Sequence, residues 1–117
     1  MAMTPQIGIQ TSFQEVSESA SLVTVSGELD LYSLDEFKDV LSAAEQAGHR
    51  LVVLDLRELG FIDSSGLGAI IGVQGRAQKA GRRLIVCPSE VVTKTFEVTG
   101  LHRVLKTADS PQDIFGG

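Results

Sequence analysis

Leu51-Val52-Val53-Leu54-Asp55-Leu56, followed shortly by Phe61-Ile62-Asp63-Ser64-Ser65-Gly66-Leu67-Gly68, joins a run of β-formers to a helix through two adjacent hydroxyls. The first run reads as a strand buried on both faces, because its apolar residues are continuous rather than alternating. Beyond the corner, Leu67, Ile70, Ile71 and the stretch from Gln74 to Gln78 follow helical order. Asp63, Ser64 or Ser65 therefore sits at a helix N-terminus, where a side-chain oxygen accepts from free backbone N–H groups. A bare helix cap is one reading of this corner, and a functional site built on the cap is the other.

Upstream, Ser33-Leu34-Asp35-Glu36 has capping-box spacing, with Ser33 as N-cap and Glu36 at the third helical position. Leu34, Phe37, Val40, Leu41 and Ala44 then form one apolar stripe, which Gly48 ends. Two strands precede this helix: Ile7 to Phe13, then Leu22, Val23 and Val25 leading into Ser26-Gly27-Glu28-Leu29-Asp30. Polar Glu15 to Ser19 is expected to turn between them, giving an antiparallel hairpin. Residues 1 to 6 lack periodicity and are expected to form a flexible N-terminus.

Downstream, Gly81 closes the corner's helix, and Arg83 to Cys87 repeats the buried-strand pattern as far as Pro88. Ser89 caps a helix containing Val91, Val92, Thr95 and Phe96, which Gly100 ends. Leu101 to Leu105 is expected as one more short strand, and Ser110-Pro111-Gln112-Asp113 as the start of a helix cut short at Gly116-Gly117. Strands alternating with helices imply parallel crossovers added to the hairpin, in one α/β domain.

At 117 residues the chain can bury a core without disulfides or a structural metal. Its 43% hydrophobic and 21% charged content is ordinary for a folded domain. A net charge of −5 leaves no basic excess to neutralise phosphates, which argues against nucleic-acid binding. Lys79-Ala80-Gly81-Arg82-Arg83 reads instead as cations at a helix C-terminus, where they suit the macrodipole. The lone Cys87 excludes an internal disulfide and, following Leu84-Ile85-Val86, reads as a buried thiol. No apolar run approaches the roughly 20 residues of a membrane span, and no signal peptide opens the chain, so a cytoplasmic location is expected.

A nucleophile elbow needs glycine two residues before its serine, but Ile62 precedes Ser64 and Asp63 precedes Ser65 at that spacing. Neither His49 nor His102 is paired with a serine by any motif. A dinucleotide fingerprint beginning at Gly66-Leu67-Gly68 needs glycine at position 71, which is Ile71, and the lysine of a P-loop is missing. Gly68, Gly72 and Gly75 read as small residues that let a helix lie close to the sheet. A third chemistry makes the serine a substrate. A phosphate of about −1.5 to −2 charge meets free N–H groups and the positive dipole end at a helix start, while a docked partner faces a new dianion beside Asp63, Glu28 and Asp30.

Asp63-Ser64-Ser65-Gly66-Leu67-Gly68 after a buried strand, with Gly27-Glu28-Leu29-Asp30 ending the second strand, resembles the anti-sigma factor antagonists of the STAS domain family. Phe96 with Thr99-Gly100-Leu101 also looks like that family's pattern. The resemblance implies an α/β, STAS-like single domain over residues 7–117: a mixed, mostly parallel β-sheet with an N-terminal hairpin and α-helices packed on one face. It implies a bacterial partner-switching protein, not an enzyme, whose unphosphorylated form binds an anti-sigma factor with serine kinase activity and releases the sigma factor. Phosphorylation of Ser64, directly after the aspartate, abolishes binding in that scheme, and a metal-dependent phosphatase restores it. Asp30, Asp63, Ser65, Gly66, Leu67 and Gly68 are the implied partner-binding residues. No cofactor, metal, nucleic acid or membrane contact is implied. The alternatives are a small-ligand module holding a nucleotide or anion at Gly66 and Gly68, or a STAS subunit of a stress-signalling or lipid-transport complex.

Overall fold

In the computed structural model, which describes residues 8–116, the chain runs β1 (Ile9–Ser17), β2 (Ala20–Leu29), α1 (Leu34–Ala47), β3 (Leu51–Ile62) and α2 (Ser64–Lys79). It continues through β4 (Arg83–Pro88), α3 (Glu90–Thr99), a 3-10 turn (Leu101–Arg103), β5 (Lys106–Thr107) and α4 (Pro111–Phe115). The five strands lie side by side in chain order, β1 antiparallel to β2 and every later pair parallel. From β2 onward each crossover steps the same way across the sheet, and such crossovers are right-handed, so α1, α2 and α3 share one face. There Phe37, Leu41, Ile70, Val73, Val92 and Phe96 meet Val23, Val25, Leu54, Leu56 and Val86 in one core. This is the mixed, mostly parallel sheet with a hairpin and one-sided helices that the sequence implies.

The continuous run in β3 is buried on both faces, as its composition requires. Val52, Leu54 and Leu56 join the helix-side core, while Val53 and Asp55 alternate to the opposite face. Burying Asp55 is tolerable because its charge is paired: Oδ1 accepts from the Arg57 N–H at 3.1 Å and Nε at 2.9 Å, and Oδ2 accepts from Nη2 at 3.0 Å. Cys87 stands beside Asp55 in the register. The thiol is fully buried as expected, outside the helix-side core, and burial with Asp55 nearby pushes it up to about 11.

Four local expectations are corrected. The segment Glu15 to Ser17 is strand rather than turn, because its ladder to β2 continues as far as Ser17 opposite Ala20. The expected start at Ile7 lies outside the described residues, as does the N-terminal segment 1 to 6. Ser33 makes no capping box: its hydroxyl is buried and donates to the Glu28 carbonyl at 3.0 Å, away from the first turn of α1. Leu101 to Arg103 coils into a 3-10 turn after Gly100, which takes the left-handed conformation at φ 79°, and β5 begins only at Lys106. Finally, Gly68 and Gly75 do not let α2 lie on the sheet, since an added Cβ at either would meet nothing within 4 Å. Gly48, Ser89 and Ser110 do end or cap their helices as read.

Phe96 is 1% exposed within the core, whereas Val98 on the same helix is 87% exposed. Phe96→Ala is expected to cost about 3–5 kcal/mol of unfolding free energy, and Val98→Ala to stay within about 0.5 kcal/mol. Urea titrations followed by circular dichroism check both values.

Candidate functional site

Where β3 leaves the sheet, Asp63 is extended and its N–H donates to the Leu29 carbonyl at 3.1 Å, tying the corner to the end of β2. Its Oδ1 accepts from the N–H of Ser65 at 3.0 Å, the N–H of Gly66 at 3.1 Å and the Ser65 hydroxyl at 2.6 Å. Of the three cap candidates, Asp63 is therefore the cap, and Ser64 is not. The Ser65 hydroxyl, with the backbone N–H groups of Gly66, Ser65 and Leu31, holds the Asp63 carboxyl below its ordinary range against the opposing effect of burial.

Ser64 occupies the first helical position, exposed, with no hydrogen bond to its hydroxyl among the described residues. Ser65 is half-buried and its hydroxyl is committed to Asp63. Gly66 and Leu67, expected among the partner contacts, are buried. A Cβ on Gly66 would stand 2.8 Å from Leu29 Cδ2 and 3.0 Å from Ile62 Cγ1, so only glycine seats the first turn of α2 against the strand ends. Both residues hold the corner from beneath. Gly68 is exposed. The anion reading fails at Gly66, because Asp63 already occupies its N–H and side chains fill the approach.

The β2–α1 loop supplies the second wall. Asp30 Oδ1 accepts from the N–H groups of Tyr32 at 3.0 Å and Ser33 at 3.2 Å, and the Ser33 hydroxyl braces the same turn. This holds Leu31 and Tyr32 outward, 69% and 96% exposed, beside Asp63. Phe61, 45% exposed, adds apolar surface two residues before the cap. Sequence reasoning passed over these three. The available signal was a pair of large apolar residues, Leu31-Tyr32, at a turn and outside the stripe of α1.

Neither histidine serves a reactive group at this corner. The His49 ring donates from Nδ1 to the Glu18 carbonyl at 2.9 Å, and the His102 ring from Nδ1 to the Phe96 carbonyl at 3.2 Å. Among the described residues no group of three His, Cys, Asp or Glu side chains could hold a metal ion, and no helix is long and apolar enough to cross a membrane.

Leu31 and Tyr32, exposed in the loop that also reaches the Asp63 carboxyl, put apolar surface at the corner of this one-sided α/β domain. Residues 14–114 match the STAS domain family model, and the chain belongs to that family. It is 35% identical over 84 residues to the anti-sigma-B factor antagonist of Staphylococcus aureus, covering 71% of this chain and 78% of that one. Its fold matches an anti-sigma factor antagonist from Mycobacterium paratuberculosis with a TM-score of 0.79 at 20% identity, covering 92% of both chains. It also matches the Bacillus cell fate determinant SpoIIAA in its phosphorylated form, with a TM-score of 0.71 at 23% identity, over 92% of this chain and 97% of that one.

The cap assignment separates two neighbouring residues. Asp63→Ala is expected to cost about 0.5–2 kcal/mol, while Ser64→Ala, which removes no cap, stays near wild type. Because folding lowers the Asp63 pKa, its contribution is full above the ordinary value of 3.8 and disappears as pH falls through the lowered value. The stability gap between wild type and Asp63→Asn should therefore narrow in acid, as measured by urea unfolding across that range. A constant gap would show that the carboxylate charge contributes nothing.

Proposed function

We propose that this chain is an anti-sigma factor antagonist. In its unphosphorylated form it binds an anti-sigma factor with serine kinase activity in the bacterial cytoplasm and so releases a sigma factor. The observation that carries this reading is the exposed hydroxyl of Ser64, directly after the Asp63 cap and without a hydrogen bond among the described residues. The names of the relatives support it. Here Ser64 is a substrate: its Oγ bonds to the γ-phosphorus of ATP held by the partner kinase and loses its proton, and the β–γ bridging bond breaks to release ADP. A metal-dependent phosphatase returns the hydroxyl.

The Asp63 cap changes the electrostatics of that step. Ser65 and Gly66 direct their N–H groups to the carboxylate, so they are not available to a phosphate. A dianion on Ser64 would join the Asp63 charge in the same turn, near Asp30 in the adjoining loop. A partner seated on Leu31 and Tyr32 then meets concentrated negative charge. Complete release requires about 5.5 kcal/mol of differential binding, within reach of repulsion combined with lost contacts. The hydroxyl itself carries no fold-holding bond, so modification leaves the helix start intact.

Ser64→Ala should bind the anti-sigma factor yet take up no phosphate from it. Stoichiometric labelling of the alanine protein would move the acceptor elsewhere. Ser64→Glu should weaken binding at least tenfold without lowering the unfolding midpoint, and unchanged affinity would remove charge as the switch. Tyr32→Ala, truncating a 96% exposed side chain, should weaken binding while leaving stability within about 0.5 kcal/mol. Calorimetric titration reads all three.

A further inference from the structure

A trough of about 920 Å³ lies between α1 and α2. Leu34 and Leu41 of α1 supply apolar lining, and the α2 wall is built from Gly68, Ala69 and Gly72 where larger side chains would close it. Three cations reach the trough, Lys38 from α1, Arg76 from α2 and Arg82 just beyond it, against one carboxylate, Glu45. Glu45 is already engaged: it accepts from Arg76 Nε at 2.8 Å and Nη2 at 3.0 Å, and its carbonyl accepts from Arg82 Nη1 at 3.2 Å. Lys38 forms no ion pair among the described residues. The trough is thus locally positive on a chain of net charge −5.

Its shape sets the kind of ligand. The α1 lining runs from Leu34 to Gln46, about 18 Å at 1.5 Å per residue. That length takes about five residues of extended chain at roughly 3.3 Å each. A single phosphate would cover only part of it. One end is formed by Ser65, whose hydroxyl is bound to the Asp63 cap, so the trough opens beside the Ser64 corner.

We infer that the trough is a docking channel for an extended acidic segment of the protein partner, an inference that rests on the partner-binding reading of the Ser64 corner. Carboxylates of that segment meet Lys38, Arg82 and the outer edge of Arg76, while its backbone lies against the glycine wall. Recognition is then divided. The trough attracts an anionic segment over a long path and in a salt-dependent way. The corner next to it becomes repulsive when Ser64 is phosphorylated.

Titration of the 15N-labelled full chain with acetylated hexaglutamate tests the channel directly, with hexaglutamine, inorganic phosphate and ATP as comparators. Hexaglutamate should shift the amides of Lys38, Ser42, Gly72 and Arg76, less so as salt rises. Lys38→Glu, alone or with Arg82→Glu, should abolish those shifts while keeping a dispersed spectrum. Equal response to hexaglutamine, equal response to phosphate or ATP, or no response to hexaglutamate overturns the channel. With the anti-sigma factor as ligand, Lys38→Glu should weaken binding at least tenfold. If Lys38→Glu leaves affinity unchanged while Ser64→Glu still lowers it, the channel is wrong and the corner stands. If Lys38→Glu lowers affinity while Ser64→Glu does not, the channel stands and the switch at the corner is wrong.

Discussion

Three hydrogen bonds converge on Oδ1 of Asp63, from the N–H groups of Ser65 and Gly66 and from the Ser65 hydroxyl, and α2 begins where they meet. A serine cap would have tied the Ser64 hydroxyl to the backbone, and any modification would then have removed a helix-starting bond. With an aspartate doing the capping, the helix start and the accessible hydroxyl belong to different residues. The Asp63 N–H, bound to the Leu29 carbonyl, carries the restraint back into the sheet. Packing completes it, since Gly66 lets the first turn rest on Leu29 and Ile62. The corner is rigid because hydrogen bonds and sterics specify the same geometry.

Charge is unevenly placed over the domain. Glu28, Asp30 and Asp63 gather around the corner where β2 and β3 end. Arg76 and Lys79 lie in the last turn of α2, with Arg82 and Arg83 just beyond, at the other end of that helix. The cations at the helix C-terminus and the aspartate at its N-terminus both favour the macrodipole, so the same placement that stabilises α2 also polarises the surface. A field of that kind orients charged molecules before contact is made.

What was legible in the sequence follows the range of the forces involved. Continuous apolar composition marked β3, and the glycines and serines at Gly48, Ser89, Gly100 and Ser110 marked helix ends, because their effects are confined to one turn of chain. The extension of β1 to Ser17 was hidden, since it depends on a ladder to a neighbour whose register the local residues do not announce. Ser33 has the spacing of a cap, yet burial beside Glu28 and Asp30 turned its hydroxyl to the loop. Gly68, Gly72 and Gly75 were read as contacts with the sheet, whereas tertiary packing left them facing α1 or solvent. At the corner the sequence located the right residues but not their division of labour. Whether Asp63 or Ser64 caps is decided by a backbone angle, and the outward Leu31 and Tyr32 depend on the Asp30 turn.

The face of the sheet away from α1, α2 and α3 bears on how such a module is isolated from other chemistry. The chain's one cysteine lies there, fully buried beside the Asp55–Arg57 pair, with its thiol held up to about 11. Thiolate is the form that oxidants and electrophiles attack, and at neutral pH this site holds almost none of it. A peroxide burst or a shift in glutathione balance therefore finds no nucleophilic sulfur at Cys87.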